Sequence, residues 1–356
     1  VSGAADYAAV AASDALRRGQ IIGVGDLAIL SAELADAPSL AALEANARAG
    51  LIITAQRAAA LKLANQIGAA QPDPEPVWVM RPDWLDLAAS RAVADPVLDL
   101  AMPMKGPFRT LPLAGPDSAR AAIALAKHAG LIPSVYAVPL AAAHPVLATS
   151  AEAALALPMV AARLHISSRA RLPLARAPDT EVVAFRAADG GPEHLALVIG
   201  DPPRDRPVLA RLHSACLTGD ILGSLKCDCG PQLDAALTAL ADNPHGGILL
   251  YLQQEGRGIG LLNKLRAYAL QDQGHDTVDA NTRLGFAPDE RDFSLAATML
   301  KALGVQAVEL LTNNPDKVAG LLAHGLSASR RPHSLPANPH NARYLATKRD
   351  RQGHKL

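Results

Sequence analysis

The sequence predicts a two-domain α/β (α+β) protein with helices and strands in both halves, and three observations carry that expectation. A chain of 356 residues exceeds the length at which a single core usually stops growing. Ala-rich helical stretches alternate with short β-branched or apolar runs in the first half, and strand signals grow denser from Glu181. Between two such blocks, "ISSRARLPLARAPDTE" carries arginines and prolines with neither helical nor strand periodicity. A linker is therefore expected near residues 165–178, separating domains at 1–170 and 178–356.

In the first half, "DYAAVAASDALRRG" reads as a helix, "QIIGVG" as a strand, "SLAALEANARAG" as a helix, "LIITA" as a strand and "AAALKLANQIG" as a further helix. Pro72, Pro74 and Pro76 then forbid regular helix, before a helix in "GPDSARAAIALAKHAG" leads into the strand-like "PSVYAVPL". From Glu181 the strand signals thicken: "EVVAFRAA", "EHLALVIG" and "PVLARLHSA" are bounded by Gly, Pro and Asp. A helix in "PQLDAALTALAD" and a buried strand in "GGILLYLQQ" follow, then a helix from about Gly260 to Gly274. The charged "DANTRLGFAPDERDF" is expected to be a loop, followed by the helix "SLAATMLKALG", the strand "AVELLT" and the turn "NNPDK".

Composition narrows the function classes. Hydrophobic residues make up 50% of the chain and charged residues 19%, which excludes global disorder. Aromatics are only 3%, and 34 basic residues balance 34 acidic ones, so neither the stacking rings nor the basic excess of a nucleic-acid binder is present. The longest apolar stretches are broken by Pro or charge before they reach membrane-spanning length. The opening residues lack a basic start followed by an apolar core, so no signal peptide and a cytoplasmic location are expected.

The chemistry concentrates in "CLTGDILGSLKCDCG". Cys216, Cys227 and Cys229 are all the cysteines of the chain, and chance would cluster three so tightly in roughly one sequence in a few hundred. An odd number does not suit a disulfide framework. Three thiolates at this spacing suit a catalytic zinc, which takes three protein ligands and leaves a position for water; buried structural cysteines are the alternative. His213, three residues earlier, is read as a substrate or core histidine, because three sulfurs already fill the metal's protein quota. "QEGRGIG" places Glu255, Gly256 and Arg257 on a glycine-rich turn at a helix start, suited to an anion or merely to a tight turn. Lys264 and Tyr268 share a helical face, and Tyr268 reads equally as a core residue. In "PDERDF", Asp289 and Arg291 alternate and would share one side of an extended chain, though such a run also suits a solvated face. Thr312 and Lys317 of "TNNPDK" offer a hydroxyl and an ammonium to phosphate oxygens, in a place where a strand-ending turn would use Asn and Pro anyway.

In this order and spacing, "RLHSACLTGDILGSLKCDCG", "QEGRGIGLLNKLRAYALQDQG", "LGFAPDERDF" and "LLTNNPDKV" resemble GTP cyclohydrolase II over roughly residues 181–356. The resemblance implies a zinc-dependent enzyme of riboflavin biosynthesis that opens the guanine imidazole ring of GTP at C8, releasing formate and pyrophosphate, with magnesium on the phosphates. It implies zinc ligands Cys216, Cys227 and Cys229, and catalytic roles for Tyr268 near the metal water, Arg291 at the α-phosphorus and Asp289 as its base or orienting group. It implies GTP contacts at Arg211, Leu212, His213, Ser214, Gln232, Glu255, Gly256, Arg257, Thr312 and Lys317, a mixed sheet with helices, and a homodimer. Relatives with the same zinc motif that keep the formamide or serve another pathway such as pyrimidine catabolism, and a regulatory GTP-binding protein without turnover, are the rival readings. One departure stands out: Ala215 occupies, in "HSAC", the place where many members have Glu.

The first half resembles dihydroxybutanone phosphate synthase in outline, through "ALRRGQIIGVGD" and "GPDSARAAIALAKHAGLIPSVYAVPL". The chemical residues of that family do not follow. Its acidic loop is here "GVGDLAILSAEL", with only Asp26 and Glu33, and Pro116 stands where a metal-binding His is required. A degenerate, non-catalytic synthase-like domain is therefore expected at residues 1–170.

Overall fold

The computed structural model describes residues 3–63, 75–113, 115–336, 339, 341–353 and 355. The expected helical residues 64–68, Pro72 and Pro74 lie outside the described residues. The chain divides into two compact units, Val1–Pro158 with Leu262–Glu290, and Met159–Leu261 with Arg291–Leu356. Among the described residues, no helix is long and apolar enough to cross a membrane.

The first unit is built on a seven-stranded sheet of β1 (Ile22–Val24), β2 (Leu27–Ser31), β3 (Gly50–Ile53), β4 (Val77–Val79), β5 (Thr110–Leu111), β6 (Ser134–Pro139) and β7 (Leu147–Thr149), in the order β5-β4-β3-β6-β2-β1-β7. Alternation along β6 shows that both faces of the sheet are covered. Val135 and Ala137 join one core with the helices Ala4–Arg17 and Pro116–His128, whereas Tyr136 and Val138 join a second core on the other face. The helix–strand rhythm expected from sequence is present, but only β1 and β7 pair in parallel and the other neighbours are antiparallel. A helix between two strands does not fix their relative direction unless it crosses over to a parallel neighbour. Strand β2 escaped the sequence reading because all five of its residues are buried, which removes the alternation that marks a half-exposed strand.

The helix Thr277–Arg283 corrects the expectation of a loop there. Asp276 caps it by accepting from the backbone N–H groups of Val278 and Asp279 at 2.8 and 2.9 Å, and Val278 and Ala280 are buried. Pro116, at the position where a metal-binding His was sought, is the first residue of its helix, where a missing N–H costs nothing. Of the two remaining acids of that loop, Glu33 has its carboxylate engaged, and Asp26 is held through its backbone N–H. Glu33 accepts from the Ile132 N–H at 2.8 Å and from Arg266 at 2.8 Å, and the Asp26 N–H donates to Ser118 Oγ at 3.2 Å.

The second unit holds a mixed seven-stranded sheet of β8 (Leu164–Arg171), β9 (Thr180–Ala187), β10 (His194–Ile199), β11 (Val208–Ser214), β12 (Gly247–Leu252), β13 (Ala307–Leu311) and β14 (Ser327–Arg331), ordered β14-β13-β11-β12-β10-β9-β8. One half is an antiparallel meander from β8 through β9 and β10 to β12; the other is parallel through β12, β11, β13 and β14. Strand β8 corrects the linker expectation over residues 165–171. Its outward residues are exposed and polar because it lies at the sheet edge, and β9 supplies the ladder that its sequence does not advertise.

Along β11, Val208, Ala210 and Leu212 enter one core with Ile248, Leu250 and Leu252 of β12. Leu209 enters the other core, with Leu249 and with Ala236 and Leu240 of the helix Cys229–Ala241. The two-residue repeat therefore carries Arg211 and His213 onto the face covered by that helix. Parallel β11, β12 and β13 also point their carboxyl ends to the same edge of the sheet, and in open α/β sheets this edge is where ligands bind.

Candidate active site

Three loops leave the carboxyl ends of β11, β12 and β13 and frame the second unit's site, while Arg211 and His213 stand on β11 itself, Gln232 on the helix Cys229–Ala241 and Lys317 on the helix Pro315–Ala323. The first loop carries the thiols. The sulfurs of Cys216, Cys227 and Cys229 all lie within 4.8 Å of one another, and those of Cys216 and Cys227 are 3.7 Å apart. Sulfur bonds of about 2.3 Å to a tetrahedral zinc would space the ligands about 3.8 Å apart, so the triangle fits that ion. The backbone between them is shaped to the sulfurs. Gly219, in the π-helical turn Leu217–Ile221, donates its N–H to Cys216 Sγ at 3.3 Å, and a Cβ on it would lie 2.7 Å from Cys227 Sγ. Crowding raises the thiol pKa values: hydrogen bonding with Cys216 pushes Cys227 up, and hydrogen bonds with Cys216 and Cys227, then burial, push Cys229 well up. Three sulfurs this close cannot all ionise without a cation among them.

Asp220 organises this loop, and sequence reasoning passed over it. Its carboxylate accepts from the Cys216 N–H at 3.0 Å, the Tyr251 hydroxyl at 2.9 Å and His213 Nε2 at 3.1 Å. Burial, opposed by the Asp220 hydrogen bond, lowers the His213 pKa, so the ring is neutral at pH 7. With its proton on Nε2, His213 presents Nδ1 as an acceptor. That buried nitrogen has no hydrogen-bond partner among the described residues, and neither do Ser214 Oγ, Gln254 Oε1 or Arg211 Nε. His213 also stacks on Tyr251, with ring centroids 5.6 Å apart and planes inclined by 16°. Buried polar atoms without partners at the mouth of a sheet are groups waiting for a ligand.

The second loop follows β12. Glu255 reaches back to the thiol loop, accepting from the Leu217 N–H at 2.7 Å and from the Gly256 N–H at 3.1 Å. Gly256 and Arg257 both adopt left-handed backbone, with φ of 63° and 65°. Among the described residues only Lys62 and Arg257 do so without being glycine, and a side chain held in that conformation marks a site over-determined by its surroundings.

The third loop follows β13 and brings cations. Lys317 Nζ donates to the Leu212 carbonyl at 2.7 Å, and Thr312 Oγ1 accepts from the Asn314 N–H at 3.0 Å. Arg211 Nη1 donates to the Leu311 carbonyl at 2.8 Å, and its Nη2 donates to Gln232 Oε1. Burial brings the Arg211 pKa down to about 10, with Asp228 and Cys229 opposing and Arg291 adding to the fall, so it stays charged at pH 7. Arg291 lies before the helix Ser294–Ala302, its guanidinium 5.3 Å from the Phe293 ring centroid. Gln254 Nε2 donates to the neighbouring Asp292 carbonyl at 2.9 Å, tying the second loop to this stretch.

Tyr268 and Asp289 belong to the first unit. Tyr268 stands on the helix Gly260–Asp272 with Lys264 Nζ 5.6 Å from its ring centroid, as their spacing of four predicts, and Asp289 is half-buried in irregular chain after the helix Thr277–Arg283. Besides Asp220, sequence reasoning missed Tyr251, Gln254 and Asp228. Asp228 had a signal of its own, a carboxylate between two candidate ligands in "CDC".

Known proteins match this chain in both halves. The family profile described as GTP cyclohydrolase II covers residues 165–332. The GTP cyclohydrolase-2 of Escherichia fergusonii is 59% identical over 179 residues, 50% of this chain and 90% of that protein. The riboflavin biosynthesis protein RibBA of Bacillus velezensis is 58% identical over 168 residues, 47% of this chain and 42% of its own length. The GTP cyclohydrolase-2 of Azospirillum brasilense is 41% identical over 374 residues, covering 98% of this chain and 95% of its own. With that alignment running through both units, the chain belongs to the GTP cyclohydrolase II family.

Proposed function

We propose that this chain hydrolyses GTP as the first step of riboflavin biosynthesis, opening the guanine imidazole ring with release of formate and cleaving off pyrophosphate to leave a diaminopyrimidinone ribosyl monophosphate. The observation that carries the reading is the sulfur triangle at the carboxyl ends of β11, β12 and β13, next to buried Arg211 and Lys317 and to polar atoms without partners. Cys216, Cys227 and Cys229 would hold zinc, which when bound acidifies a water toward neutrality and so supplies a nucleophile strong enough for a poorly electrophilic ring carbon.

The protein's own groups do the rest. Arg211, Lys317, Thr312 and the Glu255–Arg257 turn receive the triphosphate, with Mg²⁺ screening its charge. The donors Arg211 Nε and Ser214 Oγ and the acceptors His213 Nδ1 and Gln254 Oε1 suit a purine or ribose bearing both donors and acceptors. Tyr268 orders the attacking water by its hydroxyl. Arg291 acts at the α-phosphorus, with Asp289 as its base or orienting group. We assign the cyclohydrolase domain to residues 178–356 and a non-catalytic synthase-like domain to residues 1–170, in a cytoplasmic homodimer.

GTP turnover by the full chain with zinc and magnesium, followed by mass spectrometry of the products, tests the reading. One formate and one pyrophosphate per GTP are expected. Pyrophosphate with the formyl group retained on the product assigns the chain to the ring-opening variant instead, and no GTP consumption overturns the enzyme reading.

A further inference from the structure

Residues 333–355 follow the last strand and lie beyond residues 165–332, the stretch that the family profile matches. The described residues among them are nonetheless fastened to two loops of the site. Asn313, in the loop after β13, accepts from the His333 N–H at 3.2 Å and donates from its amide to the His333 carbonyl at 2.8 Å. The His333 ring places Nε2 3.0 Å from the Gln232 carbonyl, on the helix that starts in the thiol loop. Further along, the Lys355 N–H donates to the Asn313 carbonyl at 3.0 Å. Between these anchors the helix Ala342–Gln352 sets Lys348 Nζ 2.8 Å from Asp228 Oδ1, with the two side chains 12% and 6% exposed.

Asp228 lies between Cys227 and Cys229, and its second oxygen accepts from Gln232 Nε2 at 2.5 Å. Gln232 Oε1 in turn accepts from Arg211. Lys348, Asp228, Gln232 and Arg211 thus form one chain of polar contacts, running from the helix Ala342–Gln352 through the turn of two sulfur ligands to a buried guanidinium. A carboxylate this deeply buried needs a cation beside it, and removing the partner leaves an uncompensated charge that turns or draws in water. If Asp228 turned, the amide of Gln232 would lose the acceptor that fixes its orientation, and Arg211 would lose the acceptor that aims it.

We propose that Lys348 is a positioning residue of the GTP site, which through Asp228 fixes the Cys227–Cys229 turn and the Gln232–Arg211 pair, so that His333, Lys348 and Lys355 together tie the thiol loop to the loop after β13. The inference rests on the zinc and GTP reading above. A helix that merely docks would change thermal stability on mutation but neither zinc release nor the apparent affinity for GTP.

The test uses the full chain with Lys348→Met, Lys348→Arg and the double variant Asp228→Asn/Lys348→Met, which removes both charges and so folds without an unpaired buried ion. Arg349→Ala, an exposed neighbour on the same helix that pairs with Asp350, is the control. Zinc transfer to a chromogenic chelator and the split between KM for GTP and kcat are measured alongside melting. Lys348→Met and the double variant are expected to release zinc about tenfold faster or more and to raise KM by a similar factor, as loss of an outer-shell partner does. Lys348→Arg should stay close to the parent, and Arg349→Ala should match it. A parent that binds zinc and turns over GTP, with both charge-removing variants matching it in zinc release and KM, overturns this proposal alone. A parent that holds no zinc overturns the reading of the site and this proposal together.

Discussion

Replacing Gly219 by alanine isolates the shape of the thiol loop from its chemistry. Every sulfur is kept, and Gly219 does not use left-handed backbone, so the added methyl acts only through space. That methyl would lie 2.7 Å from Cys227 Sγ, 3.0 Å from Cys216 Sγ and 3.0 Å from Cys229 Cβ. Non-bonded heavy atoms settle at about 3.5–4.0 Å, which leaves a shortfall of about 1 Å against Cys227. Without metal the cysteine side chains can rotate to other staggered positions and relieve much of it. With zinc bound they cannot, because the ion fixes all three sulfurs at once. The overpacking penalty of about 1–3 kcal/mol therefore falls mainly on the metal-bound state, and zinc affinity should drop roughly 5- to 150-fold. Competition with a chromogenic chelator reads the affinity directly, and melting of the zinc-free protein reports how little of the cost falls on the fold. Parental zinc affinity in Gly219→Ala would refute the argument, since the three sulfurs could not then be gathered around one ion as the structure arranges them.

Tyr268→Phe should retain zinc and melting behaviour while formate release falls at least 100-fold, the usual scale for losing a positioned proton-handling group; unchanged formate release would make Tyr268 a packing residue. Burial, then the charge of Arg211, takes the His333 pKa down to about 4, against 6.5 for the free side chain. Its neutral form is favoured by folding, so that contribution to stability is complete above pH 6.5 and is lost as the pH falls from 6.5 toward 4. Urea unfolding across that window should show a shallower loss in His333→Leu than in the parent, by up to about 1.4 kcal/mol per pH unit; buried His213 and His194 shift in the same direction and keep the remaining slope. The full chain should form no dihydroxybutanone phosphate from ribulose phosphate even with excess magnesium, because Pro116 offers no ligand and Glu33 is committed to Arg266 and the Ile132 N–H. Synthase turnover at an enzymatic rate would overturn that assignment.

The sequence by itself determined whatever depends on residue type and short spacing. The clustering of Cys216, Cys227 and Cys229, the glycine-rich turn at Glu255–Arg257 and the strands that lead into the thiol loop, that turn and the Asn-Pro turn were all legible, because thiolate chemistry and backbone periodicity are local. Strand β2 was not legible, since a fully buried strand loses its alternation, and β8 was hidden because an edge strand takes its hydrogen bonds from a neighbour that its own residues do not specify. Pairing direction was likewise a tertiary outcome: the same helix–strand rhythm gives a largely antiparallel sheet in the first unit and a half-parallel one in the second. Only the folded chain could bring Asp220 under His213 and Tyr251, or carry Lys348 to Asp228 across 120 positions of sequence. Such partners are chosen by burial, since a carboxylate removed from water must find donors wherever the packing supplies them, and packing is a property of the whole unit.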